Sequence, residues 1–296
     1  MNEQQPLAAD WDYLIILDAC RYDTFEQVYD EYLTGSLEKR RSIGSSTPEW
    51  AAKTFTGEHD ITYFSPNPFI NGLGIPINEM QWGSSCDYDW AAADHIDTVI
   101  DLWYSSWDEE LDTVTPDAVN QAVREHQAEI DATERTVIHY MQPHAPYITQ
   151  GKGRKEGQIR KSLKEAKEEG AVGGGLVASL LDPVLPRLER FLEDSELAMK
   201  AGLLLELDAA SLLKVGREGS REVLEEYYEA NLRLVLEHVR ELVQELDGTV
   251  VVTSDHGEAF GEDGVWEHHV ETHIPALMEV PWLEVDGVVH EEKHAQ

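Results

Sequence analysis

The sequence predicts one α/β/α domain with a mostly parallel, mixed central sheet. Three observations point there. Short apolar runs at 12–18, 60–64, 134–141, 250–252 and 276–282 read as buried strands, too short and too apolar for amphipathic helices. Longer helical patterns at about 24–32, 47–57, 116–132 and 218–246 separate them. Two of the runs end in an aspartate, Asp18 and Asp255. Strand C-termini are where open α/β sheets bind ligands.

The totals bound the function. The 296 residues, 42% hydrophobic, suffice for a sizeable core. Against 23 basic residues stand 58 acidic ones, a formal net charge of -35. That charge repels a phosphate backbone, so nucleic-acid binding is not expected, and it disfavours an anionic membrane surface. The acidic excess runs along the whole chain, a haloarchaeal type of composition suited to a high-salt cytoplasm, where screening removes the self-repulsion. Two cysteines, Cys20 and Cys86, fit neither a zinc site nor a disulfide framework, which suits a reducing compartment. Residues 1–10 carry no leader pattern, and no apolar run approaches the ~20 residues of a membrane span. A cytoplasmic location is expected.

The first strand ends at Asp18, followed by Ala19-Cys20-Arg21-Tyr22-Asp23 and a helix. Next comes Ser45-Ser46-Thr47-Pro48-Glu49-Trp50. Thr47 suits an N-cap, Pro48 the first helical position, Glu49 the first turn, and Thr56-Gly57 the C-terminal end. A hydroxyl at a helix N-terminus lies in positive potential beside free N–H groups, which favours its ionisation and the binding of an anion. After the strand at 60–64, Ser65-Pro-Asn67-Pro-Phe-Ile-Asn71-Gly72 reads as a loop in which the asparagines make turns. The strand at 134–141 contains His139, read as a core histidine, and runs into Gln142-Pro143-His144-Ala145-Pro146-Tyr147, whose prolines fix the presentation of His144. The segment from 151 to about 215 opens rich in Lys, Glu and Gly and is expected to be an exposed helical insertion or lid. The long helix that follows carries Tyr228 and Asn231, read as packing it onto the sheet. The strand at 250–252 then ends in Ser254-Asp255-His256-Gly257-Glu258, where a carboxylate and an imidazole can reach one divalent cation and Gly257 lets the chain turn.

Taken together, Asp18 after the first strand, a hydroxyl opening the next helix, Pro143-His144-Ala-Pro-Tyr147, and Asp255-His256-Gly-Glu-Ala-Phe-Gly-Glu262 with Gly264-Val-Trp-Glu-His268 resemble the alkaline phosphatase superfamily. The resemblance is to its sulfatase and phosphoethanolamine or lipoteichoic acid synthase-like branch, and runs from about Tyr13 to Trp282 apart from 151–215. It implies a three-layer α/β/α sandwich of alkaline phosphatase-like fold. It also implies a metal-dependent hydrolase or transferase of phosphoric esters working through a covalent enzyme intermediate. Asp18, Thr47, Asp255 and His256 would hold one divalent ion, Mn, Zn, Mg or Ca, with a second ion as an option. Thr47, or Ser46, would be the nucleophile. His144 and His268 would hold the non-bridging oxygens or protonate the leaving group. The substrate would be a small-molecule, glycan or lipid-headgroup phosphate or sulfate ester. Alternatives are a sulfatase working without formylglycine, or a silent member that binds an anion or a partner.

The sequence departs from the family's patterns at several points. The sulfatase Cys/Ser-x-Pro-x-Arg motif lacks its arginine here, and Ser46-Thr47-Pro48 leaves two hydroxyls in register. No Asp-x-x-x-His pair marks a second metal, and the residues after Trp282 are too few for the usual C-terminal sulfatase subdomain. Glu258 and Glu262 are expected to orient His256, His269 and His273 to be interchangeable with His268, and Arg21 to pair with Asp23 or clamp an anion.

Overall fold

The computed structural model describes residues 1–80, 87–150, 164 and 221–290. The expected insertion at 151–215, apart from Lys164, lies outside them, as do Cys86 and the C-terminal residues from 291.

The strands are β1 (Asn2–Glu3), β2 (Tyr13–Leu17), β3 (Leu33–Arg41), β4 (His59–Ser65), β5 (Ile96–Asp101), β6 (Trp107–Asp108), β7 (Thr113–Val114), β8 (Arg135–Tyr140), β9 (Val250–Thr253), β10 (Ala259–Phe260), β11 (Trp266–Glu267) and β12 (Glu279–Val288). The helices are α1 (Tyr22–Val28), α2 (Thr47–Thr54), α3 (Leu102–Ser105), α4 (Pro116–Glu125), α5 (Gln127–Ile130), α6 (Arg221–Val243) and α7 (Pro275–Met278).

Eight strands form the main sheet in the order β1-β3-β12-β9-β2-β8-β4-β5. From β9 to β5 every neighbour is parallel, while β12 runs antiparallel to both β9 and β3. The sheet is mixed and mostly parallel, as the apolar runs predict.

Period-two alternation divides the core. Ile15 and Leu17 of β2 face one layer with Phe25 and Val28 of α1, Val119 and Val123 of α4, and Leu232, Val235 and Val239 of α6. Leu14 and Ile16 face the other with Trp50 and Ala51 of α2, Tyr63 of β4, Val137 of β8 and Trp282 of β12. Each such side chain removed from water contributes roughly 1.5–3 kcal/mol. The sheet is therefore covered on both faces, and its central strands read as unbroken apolar runs.

Two strands carry no such run. In β3, Leu-Thr-Gly-Ser-Leu-Glu-Lys-Arg-Arg is mostly exposed or half-buried, and its extended form is imposed by a nine-residue register with β12. Edge strand β5, Ile-Asp-Thr-Val-Ile-Asp, is also half-buried and polar. Pairing, not hydrophobicity, makes them strands. Helix α4 ends at Glu125 and α5 is a separate turn, where one helix over 116–132 is predicted. Among the described residues, no helix is long and apolar enough to cross a membrane.

Candidate active site

Register brings the first two carboxylates together. β2 and β9 are adjacent and parallel, with Ile16 opposite Thr253, so Asp18 and Asp255 each follow two residues later at the same sheet edge. The loops after the two strands are stitched. Ala19 donates its N–H to Asp255 Oδ1 (3.2 Å), and Cys20 donates its own to Ser254 Oγ (2.8 Å). Ala19 holds φ at 59°, an uncommon value for a residue with a Cβ, and its neighbours keep it there. Tyr228 of α6 donates its hydroxyl to the Ala19 carbonyl (2.7 Å) and accepts the Arg21 N–H (2.7 Å). Gly257 is required by close approach: a Cβ there would lie 2.1 Å from the Ala276 carbonyl oxygen. Its own N–H donates to Leu277 O (2.8 Å) and ties the site loop to α7.

The nucleophile candidates separate in space. Ser46, not Thr47, is the N-cap residue, and Thr47 is the first residue of α2. The Thr47 hydroxyl donates to Asp255 Oδ2 (2.7 Å) and stands 3.4 Å from Asp18 Oδ2 and 3.3 Å from His256 Nε2. Ser46 Oγ is buried without a hydrogen-bond partner. Gly44 permits this entry to the helix, since a Cβ there would meet Trp50 N at 2.4 Å.

Asn67, read as a turn-maker, does both jobs. Its Oδ1 accepts the Phe69 N–H (3.1 Å), while its Nδ2 donates to Asp18 Oδ2 (3.0 Å) and lies 3.3 Å from Thr47 Oγ1. His139 is buried as read, but its Nε2 faces Asp18 Oδ2 at 3.5 Å. Nothing in the local sequence distinguishes either residue from packing. Asn231 of α6, read as helix packing, instead donates into the His144 loop, toward the carbonyls of Pro146 (3.1 Å), Pro143 (3.3 Å) and His144 (3.3 Å).

Charge is distributed unevenly. Burial pushes the His256 imidazole below its ordinary value, with Asp255 opposing, so the ring is neutral. Its Nδ1 engages the Gly257 carbonyl (2.8 Å), leaving the Nε2 lone pair for the centre. Burial works against ionisation of Asp18, yet the imidazoles packed around it, His139 first, hold its carboxyl well below the usual range. His268 behaves oppositely. Burial would lower it, but the Glu258 carboxylate, 3.1 Å from Nδ1, lifts it to about 9. The rings of His144 and His256 lie 4.9 and 4.5 Å from that of His268, centre to centre.

Two expectations about neighbours are corrected. Glu258 orients His268 rather than His256. Glu262 instead accepts from Arg21 (2.8 Å), Arg221 (2.9 Å) and the Phe260 N–H (2.6 Å). Arg21 is thereby closed between Asp23, the pairing its neighbour allows, and Glu262. His269 and His273 do not substitute for His268. The His269 carbonyl accepts from Ser45 Oγ (2.8 Å), and His273 Nε2 meets buried Glu49 (2.8 Å). Glu49 also accepts from Lys53, Ser45 and the Glu271 N–H. It thus anchors the segment after His268 to the start of α2. Cys20 is a buried free thiol, pushed well above its ordinary value by burial.

The donor set fits a divalent cation. Asp18, His139 and Asp255 each offer a ligand atom within 4.8 Å of the others, and so do His144, Glu258 and His268. Among the described residues Asp18 Oδ1 is buried with no hydrogen-bond partner, an acceptor that burial leaves uncompensated unless a cation meets it.

The His268–Glu258 pair predicts a pH dependence in chelator-treated protein. A histidine raised to about 9 in the fold, against an ordinary 6.5, stabilises fully below about 6.5 and loses that contribution as pH rises toward 9. Urea unfolding is expected to show stability falling by at most about 3 kcal/mol across that window. Glu258→Gln flattens the slope; an unchanged slope would mean the pair does not carry it.

No family model matches the chain, and no curated protein matches it. Solved structures do. The chain is similar to the integral membrane protein lipooligosaccharide phosphoethanolamine transferase A (EptA) from Neisseria meningitidis, with a TM-score of 0.50 and 10% identity, over 96% of this chain and 49% of that one. It thus spans about half the length of that protein. The phosphonate monoester hydrolase of Agrobacterium radiobacter gives a TM-score of 0.44 at 13% identity, over 93% of this chain and 67% of that one. A 2-O GAG sulfatase, BT1596, gives 0.42 at 11% identity, over 93% and 63%. The fold is alkaline phosphatase-like, as the motifs imply.

Proposed function

We propose that the chain is a metal-dependent hydrolase or transferase of phosphoric esters, with Thr47 as the nucleophile. The observation that carries this reading is the Thr47 hydroxyl at the first residue of α2, within 3.4 Å of Asp18, Asp255 and His256 together. Asp18, Thr47, Asp255 and His256 would hold one divalent ion. Bound there, the ion lowers the pKa of the Thr47 hydroxyl and neutralises charge on the transferring group.

The remaining work belongs to the chain. The N-terminal position on α2 puts Thr47 Oγ where an anionic group is drawn to free N–H groups. The Thr47 proton leaves along its hydrogen bond to Asp255. Thr47 Oγ forms a bond to phosphorus as the bond from phosphorus to the ester oxygen breaks. The departing oxygen takes a proton from His268, which Glu258 keeps charged at neutral pH. Asn67 Nδ2, 3.3 Å from the nucleophile, is placed to donate to a non-bridging oxygen. His144, its ring 4.9 Å from that of His268, would act beside it on the transferring group. Water, or a second alcohol, then attacks the phosphothreonine and regenerates Thr47.

A threonine in this position also argues against formylglycine chemistry at this hydroxyl. The lipooligosaccharide substrate named for the Neisseria transferase supports including lipid-headgroup phosphate esters among the compounds to try. The test is turnover of matched aryl phosphate monoesters, phosphodiesters and sulfate esters, in molar KCl with added Mn²⁺ or Zn²⁺. Metal-dependent turnover of a phosphate ester is the expected result. Turnover of the sulfate ester alone would favour a sulfatase. Folded, metal-loaded protein that turns over none of them would favour an anion- or partner-binding role.

A further inference from the structure

We infer that Tyr63 and His139 form a buried relay that orients the Asp18 carboxylate, making His139 a positioning residue for the Thr47 centre; this rests on the metal-dependent reading above. β8 places His139 opposite Ile16 of β2, and β4 places Tyr63 opposite Val137, so Tyr63 and His139 share the face that packs on α2. Both residues are fully buried, in ring contact at 6.0 Å. Tyr63 Oη is 2.8 Å from His139 Nδ1, and His139 Nε2 is 3.5 Å from Asp18 Oδ2.

The chemistry of these three groups selects one tautomer. A buried phenol needs an acceptor for its proton, and among the described residues the Tyr63 hydroxyl meets His139 Nδ1. The hydroxyl therefore donates, Nδ1 accepts, and the proton of the neutral ring sits on Nε2. The Nε2–H then faces Asp18 Oδ2. The opposite tautomer would set a nitrogen lone pair against the carboxylate and leave the phenol proton without an acceptor.

Asp18 is thus gripped by one oxygen. Oδ2 takes the Asn67 Nδ2–H (3.0 Å) and faces the His139 Nε2–H. Oδ1 is left with no hydrogen-bond partner, 3.6 Å from His256 Nε2. Asn67 holds Oδ2, and the His139 Nε2 side of the relay flanks it at 3.5 Å without closing a hydrogen bond, so the relay orients the carboxylate by position and presents Oδ1 to the cation. Partners of this kind, one bond removed from a metal ligand, typically change metal affinity by about 10–100-fold.

The experiment is calorimetric titration of Zn²⁺ and Co²⁺ into the chelator-treated full chain, with the Co²⁺ absorption spectrum recorded at saturation. Tyr63→Phe keeps the ring and its packing and removes only the proton donor. It is expected to weaken binding about 10-fold with an unshifted Co²⁺ spectrum. His139→Ala is expected to weaken it further. His139→Gln, whose amide N–H can replace Nε2–H, is expected to recover most of the loss. Wild-type affinity in Tyr63→Phe would overturn the inference. So would a His139→Gln variant as weak as His139→Ala with a shifted Co²⁺ spectrum, since that makes His139 a direct ligand. A wild-type protein that binds neither ion would overturn the metal-dependent reading itself.

Discussion

Thr47→Ala is expected to reduce phosphate-ester turnover on the order of 10⁶-fold, the scale at which a hydrolase loses its nucleophile. The substitution deletes the one hydroxyl among the described residues that meets Asp18, Asp255 and His256 together. It removes little volume at the start of α2, and the N-cap position, Ser46, is unchanged. Folding should therefore survive, and the loss should fall on kcat. Ser46→Ala is the control. Its hydroxyl is buried without a partner and makes none of these contacts, so turnover should stay within a few-fold of wild type. The comparison is read from steady-state kinetics beside a thermal melt of each variant. Equal losses in both variants would point to the helix start as a whole; a Thr47→Ala protein that turns over normally would remove Thr47 as nucleophile.

Asp255→Asn is expected to separate metal binding from folding. In the metal-free protein, ligand oxygens of Asp18 and Asp255 lie within 4.8 Å of each other, a like-charge pair in a buried setting. The amide removes one of those charges and keeps an oxygen able to accept the Ala19 and His256 N–H groups. The apo variant should therefore melt at or above the wild-type temperature. Adding metal at 100 times its dissociation constant should stabilise wild type by about 2.7 kcal/mol, a shift of several degrees. The variant should show no such shift and no metal-dependent turnover. A variant that is destabilised without metal, or still stabilised by it, would show that Asp255 serves the fold more than the cation.

Reading the chain from its residues reached the central strands because those strands are buried on both faces. Tyr13–Leu17, Arg135–Tyr140 and Val250–Thr253 are apolar for that reason, and their ends announce Asp18 and Asp255. Helix punctuation located α2 to within a residue, through Pro48 and the hydroxyls before it. β3 and β5 left no comparable mark, since each is half-exposed and owes its form to its neighbours.

The same division runs through the site. Asp18, Thr47, His144, Asp255, His256 and His268 were legible because each sits where an element begins or ends, at spacings that carry a motif. Asn67 and His139 were not, because an asparagine between prolines and a histidine inside an apolar run look like turn and core. The local sequence does not tell which imidazole Glu258 meets or that Glu262 meets Arg21, because partners across a loop are set by three-dimensional distance.

Local composition and period alone carry the α/β class, the strand ends with their carboxylates and the pair of adjacent hydroxyls at Ser46 and Thr47. Tertiary packing brings the Thr47 hydroxyl among Asp18, Asp255 and His256, turns Asn67 and His139 toward Asp18, and matches Glu258 with His268. The reason is physical. Burial and chain direction are written in local composition and period. Which polar atoms meet depends on strand register and loop closure across long stretches of chain, 209 residues between Thr47 and His256 and 241 between Arg21 and Glu262.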